Sequence, residues 1–187
     1  MTTTVDYGPL AALIGEWEGA EGLDVAPEPD GPEETPYSDY IVFEAVGDVS
    51  NAETQTLGAL RYHQVVTRKL DGQVFHNETG YYSWDPATKT ISQSLTIPRA
   101  VALLAGGTHD GSVDGEVIIE VAAKLGDPDW GIVQSPFMRD NARTTAFEHK
   151  IVVNGDSLSY EETTTVDIYG KVFAHTDANR LKRVKMD

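Results

Sequence analysis

The sequence predicts an all-β protein whose antiparallel strands run up and down and close into one barrel. Beyond residue 37, apolar and polar residues mostly alternate with a period of two, which is typical of strands with one buried face. Turn-forming pairs separate these segments, including Asp71-Gly72, Asp85-Pro86 and Asn154-Gly155. Helical spacing is almost absent, and closure into a barrel would remove the exposed edges of such a sheet.

The first expected element is a short helix. Leu10, Leu13 and Ile14 are spaced i, i+3 and i+4, so they share one helical face. Pro9 suits the first turn of a helix and Gly15 suits its end. We therefore expect one N-terminal helix of about two turns.

Residues 24–37 are acidic and rich in proline. Proline removes a backbone donor and fixes φ, so this segment is expected to form neither a helix nor a strand ladder. The sequence predicts a surface loop here, and a lid over a pocket is the functional alternative.

The strands expected after this loop have turn signals between them. They cover residues 40–44, 59–66, 76–84, 90–97, 117–123, 144–153, 157–169 and 172–184. Neither an internal repeat nor a linker interrupts this series, so residues 1–187 are expected to form a single domain.

The charge of the chain restricts its partners. Lys and Arg number 14 against 30 Asp and Glu, which gives a formal net charge of −16. This balance argues against nucleic acids and anionic membrane surfaces, because both attract clustered basic residues. Met1–Tyr7 lacks the basic start and apolar stretch of a signal peptide, and no apolar run is long enough for a membrane helix. We expect a soluble, cytoplasmic protein.

Most chemical motifs are missing, which leaves the histidines as candidates. The sequence contains no phosphate loop, no dinucleotide fingerprint and no nucleophile elbow. Residues 110–116 lack the ligand spacing of a calcium loop and are interpreted as an acidic turn. The chain has no cysteine, so imidazoles are its strong donors for a soft metal. His76 and His175 lie on separate predicted strands that could face one cavity.

The order of several short motifs is informative. They are Gly15-x-Trp17-x-Gly19 after the helix, Leu60-x-Tyr62-x-Gln64, Phe75-His76-x-Glu78-x-Gly80, Leu158-x-Tyr160 and the final His175-x-x-Ala178. In this order the chain resembles the nitrobindin family, also described as the haem-binding domain at the C-terminus of a human THAP-type protein.

This resemblance implies a ten-stranded barrel like those of lipocalins and fatty-acid-binding proteins, with one short helix closing an end. It implies haem b with His175 as the iron ligand and His76 on the opposite side of the haem. Phe75, Tyr62 and Gln64 complete the expected cofactor contacts. Family members bind nitric oxide at ferric haem and isomerise peroxynitrite to nitrate, so the resemblance makes a peroxynitrite isomerase one expectation.

Two other interpretations remain open. A non-haem barrel could hold a small apolar ligand, with residues 97–104 at its mouth and Tyr62, Gln64, Tyr82 and Trp84 as contacts. A purely structural barrel would use Trp17, Tyr62 and Trp84 as core. The sequence leaves open the roles of residues 24–37 and 126–136 and whether the chain forms a homodimer.

Overall fold

A computed structural model describes residues 5–185. Part of the segment Met1–Tyr7, in which the sequence predicts no signal peptide, lies outside the described residues. A short 3₁₀ helix, here called the plug helix, spans Gly8–Leu13. The strands are β1 (Gly15–Glu28), β2 (Gly31–Asn51), β3 (Gln55–Arg68), β4 (Val74–Asp85), β5 (Thr90–Ile97), β6 (Val101–Thr108), β7 (Val117–Lys124), β8 (Ile132–Gln134), β9 (Ala142–Asn154), β10 (Ser157–Ile168) and β11 (Lys171–Lys185). One α-helix, α1, spans Pro136–Asn141.

Ten of these strands form a closed antiparallel barrel. The strand order is β5-β4-β3-β2-β1-β11-β10-β9-β7-β6, and pairing of β5 with β6 closes the ring. The short β8 pairs with β6 outside this ring. The prediction of an all-β, ten-stranded up-and-down barrel is therefore confirmed.

The plug helix seals one end of the barrel. Leu10 and Leu13 are fully buried with Trp17, and the indole Nε1 of Trp17 donates a hydrogen bond to the carbonyl of Leu13 at 2.7 Å. The guanidinium of Arg183 covers the Trp17 ring at 4.0 Å and donates to the carbonyl of Ala12 at 2.9 Å. The predicted N-terminal helix is present, and its hydrogen bonding is of the tighter 3₁₀ type.

The prediction of a surface loop at residues 24–37 is wrong. These residues complete β1 and begin β2, which form a hairpin in which Pro27 lies opposite Pro32. The β1–β11 pairing ends at Val25 and Thr176. Beyond that point β1 has a neighbouring strand on only one side. A proline there can direct its nitrogen, which has no hydrogen to donate, towards solvent, as edge strands permit.

The segment 126–136 also contains structure that the sequence did not predict. It includes β8, and it ends at the start of α1, a second short helix. Ser135 caps this helix by accepting a hydrogen bond from the backbone N–H of Met138, and Pro136 occupies the first turn. Within residues 5–185, no helix is long and apolar enough to cross a membrane.

Candidate functional site

The barrel contains a cavity of about 410 Å³ among the strand ends away from the plug helix. The tip of the β1–β2 hairpin, the β5–β6 turn and the β10–β11 turn all contribute to its rim, and Met138 of α1 also lines it. Residues 24–37, whose strand structure the sequence did not predict, thus form part of the cavity wall, and the unpredicted helix α1 contributes Met138.

His175 lies in this cavity between two carboxylates. Its Nε2 atom is 2.5 Å from Oδ1 of Asp24 and 3.5 Å from Oδ2 of Asp177. The strand register explains this cluster, because Asp24 of β1 pairs directly with Asp177 of β11. His175 is two residues before Asp177 and therefore faces the same side of β11.

This arrangement shifts the protonation of the cluster. Burial of His175 opposes its charged form, but the Asp24 hydrogen bond and the charges of both aspartates outweigh burial and raise the pKa of the imidazole. Burial and the nearby Asp24 charge raise the pKa of Asp177 to about 7. The protonation of His175 and that of Asp177 therefore depend on each other.

The row of ionisable groups continues around the barrel. Asp177 pairs with Glu162 of β10, and Glu162 pairs with His149 of β9. Burial, followed by the charges of Glu78, Asp177 and Asp39, raises the pKa of Glu162 well above its usual range. Asp24, Asp177 and Glu162 therefore form a row of carboxylates across three adjacent strands.

A second histidine lies on β4, and Glu78 connects it to the core. The Nε2 atom of His76 is 3.3 Å from Oε2 of Glu78, whose Oε1 accepts a 2.5 Å hydrogen bond from the Tyr62 hydroxyl. Burial lowers the pKa of His76, but the hydrogen bond and charge of Glu78 produce a net increase. Glu78 therefore favours a positively charged His76 at the cavity wall.

A hydrogen-bonded network extends into the barrel from Gln64. Its amide donates to Oδ2 of Asp39 at 3.0 Å, and the Tyr160 hydroxyl donates to the same oxygen at 2.7 Å. The hydroxyls of Tyr160 and Tyr37 are 2.8 Å apart. Burial raises the pKa of Asp39 to about 6, although both donors favour its ionised form.

Much of the remaining lining of the cavity is apolar. Strands β5, β6, β9 and β10 contribute most of these side chains, which are Leu95, Ile97, Val101, Leu103, Phe147, Val166 and Ile168. Arg68 and Arg99 add positive charge to the lining. The guanidinium of Arg68 also lies 5.7 Å from the centre of the Phe75 ring.

The structure brings four of the five residues predicted to contact the cofactor into one cavity. His175, His76, Phe75 and Gln64 line it, whereas Tyr62 is buried and contacts the lining residue Glu78. Asp24, Asp177 and Glu162 also line the cavity, but they were not predicted as site residues from the sequence. The period-two spacing of His175 and Asp177 could have placed those two on one face.

The model of the THAP4-like, heme-binding beta-barrel domain matches residues 6–183.

The chain belongs to the THAP4-like haem-binding β-barrel family.

The solved structures agree with this fold. The crystal structure of Rv2717c from M. tuberculosis is similar with a TM-score of 0.70 and 24% sequence identity, over 94% of this chain and 96% of that one. No curated protein matches the sequence. The family assignment covers almost all of the barrel, including both histidines of the cavity.

The donor set of this family member fits a haem. A metal-bound imidazole usually donates its other N–H to a carboxylate, and Asp24 is placed to accept from Nε2 of His175. Within residues 5–185, no hydrogen bond occupies Nδ1 of His175, so that nitrogen is available to a metal. The apolar wall suits a macrocycle, and Arg68 and Arg99 suit its carboxylates.

Proposed function

We propose that this THAP4-like barrel binds haem b in the cavity, with His175 as the iron ligand. The observation that carries the proposal is the position of His175 in the cavity wall, with one ring nitrogen held by the buried Asp24 and the other without a hydrogen bond from any residue of 5–185. A ferric haem at this position would supply a site for nitric oxide and for peroxynitrite, whose isomerisation to nitrate is the proposed activity.

Each part of the cavity has a role in this proposal. Asp24 fixes the tautomer and orientation of the His175 ring and increases its basicity as a ligand. The apolar wall excludes water from the bound group. His76, whose charged form Glu78 favours, can donate a hydrogen bond to an anionic ligand. Arg68 and Arg99 would pair with the carboxylates of the cofactor.

A hemin titration tests the proposal. We expect purified protein to give a sharp Soret band that saturates at one hemin per chain, and His175→Ala to lose this band. His63→Ala is the matched control, because His63 lies exposed on β3 and contacts Asn77 at 3.1 Å. A wild-type spectrum equal to that of free hemin, or equal binding by His175→Ala, would contradict haem ligation by His175.

A second candidate function has its own observation. Seven apolar side chains of β5, β6, β9 and β10 line the cavity, and such a wall favours small apolar ligands. A non-haem carrier would release such a molecule when the purified protein is extracted with organic solvent. Mass spectrometry of that extract measures this, and an extract without any bound molecule counts against the carrier.

A further inference from the structure

We propose that the haem-free barrel binds a divalent transition-metal ion between Asp24, His175 and Asp177. Nε2 of His175 is 2.5 Å from Oδ1 of Asp24 and 3.5 Å from Oδ2 of Asp177. One ligand atom from each of the three residues lies within 4.8 Å of the other two. This spacing lets three donors converge on one ion, and the inference does not depend on the proposed haem.

The backbone holds these donors on rigid elements. Asp24 and Asp177 are directly paired residues of the neighbouring strands β1 and β11, and His175 follows the same face of β11. On its other side β11 pairs with β10, and the residues from Ser157 to Val166 of β10 are in continuous register with it. Because paired strands fix the positions of their side chains, the site requires no loop to become ordered.

The charge distribution points to a cation. Like charges directly opposite each other on neighbouring strands are destabilising, and here Asp24, Asp177 and Glu162 occupy three successive strands. Asp24 is only 5% exposed, so solvent screens its charge weakly. His175 supplies one positive charge at most to this row. A divalent ion placed between Asp24 and Asp177 would bind both carboxylates at once.

The donor types indicate the class of metal. One imidazole nitrogen and two carboxylate oxygens suit Mn²⁺, Fe²⁺ or Zn²⁺, whereas Ca²⁺ requires six to eight oxygen ligands. Three protein ligands leave coordination positions open towards the cavity, as in catalytic metal sites. An ion at Nε2 would also replace the hydrogen bond between His175 and Asp24. We therefore expect the ion and haem to compete for the barrel.

Metal titration of haem-free protein tests this inference. After treatment with a chelator, the protein is titrated with Zn²⁺ by calorimetry and with Mn²⁺ by electron paramagnetic resonance, with Ca²⁺ as the hard-ion comparison. We expect one Zn²⁺ or Mn²⁺ per chain. We expect Asp177→Asn and His175→Gln each to weaken binding at least about tenfold, the lower limit for loss of an outer-shell partner.

Glu33→Gln is the matched control, because Glu33 lines the same cavity outside this trio. It should change the affinity by less than about twofold, the scale of a screened surface charge. Absence of saturable binding in the wild type, or equal weakening by Glu33→Gln, would overturn the proposal. Circular dichroism checks that each variant is folded, and His175→Gln decides the question if Asp177→Asn does not fold. The Soret band of the metal-free protein separately reports on the proposed haem site.

Discussion

Single residues inside this barrel combine burial with chemistry that is usually found at protein surfaces. His149 is buried, and its Nδ1 atom lies 3.2 Å from Oε1 of Gln93. Because that amide oxygen can only accept, this hydrogen bond requires the proton on Nδ1, and within residues 5–185 Nε2 has no hydrogen-bond partner. Burial lowers the pKa of His149 to about 4, so the imidazole stays neutral at physiological pH.

The buried His149 predicts a pH-dependent stability. An unfolded histidine has a pKa of about 6.5, so the unfolded state binds more protons than the folded state as the pH falls below that value. This group's contribution to stability is therefore present above pH 6.5 and is lost as the pH falls towards 4. Relative to His149→Gln, wild type should lose about 2 kcal/mol of unfolding free energy between pH 7 and pH 5. Urea unfolding at several pH values measures this, and parallel curves for the two proteins would contradict it.

His76 predicts a ligand preference of the haem-loaded protein. A charged imidazole stabilises a bound anion by a hydrogen bond of about 1.5–3 kcal/mol, but adds little for a neutral ligand. His76→Phe should therefore weaken fluoride binding to the ferric protein by about tenfold or more, while nitric oxide affinity changes little. Spectroscopic titration measures both, and equal losses for the two ligands would show that His76 acts only by shaping the cavity.

The residue scale also shows what the sequence could predict. His76 and His175 stand within short motifs, so both could be identified before the structure. Asp24 could not, because it lies in a proline-rich segment that was assigned to a loop. Its role depends on being paired with Asp177, which is 153 positions later in the chain. Such long-range register does not follow from local spacing.

At the scale of elements, Arg183 connects β11 to the plug helix. Its guanidinium donates to the carbonyls of Ala12 and Ile14 and covers Trp17, and its side chain is only 8% exposed. The plug helix is six residues long, too short to be stable alone. Its position therefore depends on these contacts and on the burial of Leu10 and Leu13.

Arg183→Met should loosen the plug and lower the unfolding free energy by about 1–3 kcal/mol, because it leaves two partly buried carbonyls without their donor. Arg61→Met is the control, since Arg61 pairs with Glu44 on the surface, where both side chains are about half exposed. Its effect should stay below about 1 kcal/mol. Urea unfolding compares the two variants, and similar small losses would contradict the role assigned to Arg183.

Gly80 shows why one motif of the sequence carries its glycine. A Cβ atom at this position of β4 would lie 1.8 Å from the backbone oxygen of Ser94 on β5. The glycine thus permits the close approach of these strands beside Tyr62 and Glu78.

The β1–β2 hairpin was harder to predict, because proline was taken to exclude a strand. Only the end of the β1–β11 pairing makes proline acceptable there.

At the scale of the whole molecule, alternating hydrophobicity and turn signals were sufficient to predict a closed antiparallel barrel. They could not predict the cavity, whose rim is built from the β1–β2 hairpin, the β5–β6 and β10–β11 turns and α1. The acidic residues that produce the net charge of −16 fall into two groups. Most of the acidic residues are solvent-exposed, whereas Asp24, Asp39 and Glu78 are buried around the site. The acidity is therefore a feature of the site as well as of the surface.

The most direct test of the central claim is a crystal structure of the protein grown with hemin, with the iron located by its anomalous scattering. We expect one iron per chain, in the cavity and within coordination distance of Nδ1 of His175. Nε2 of the same ring should still be hydrogen-bonded to Asp24. An iron bound by another residue, or a cavity without iron at saturating hemin, would contradict the assignment of His175 as the haem ligand.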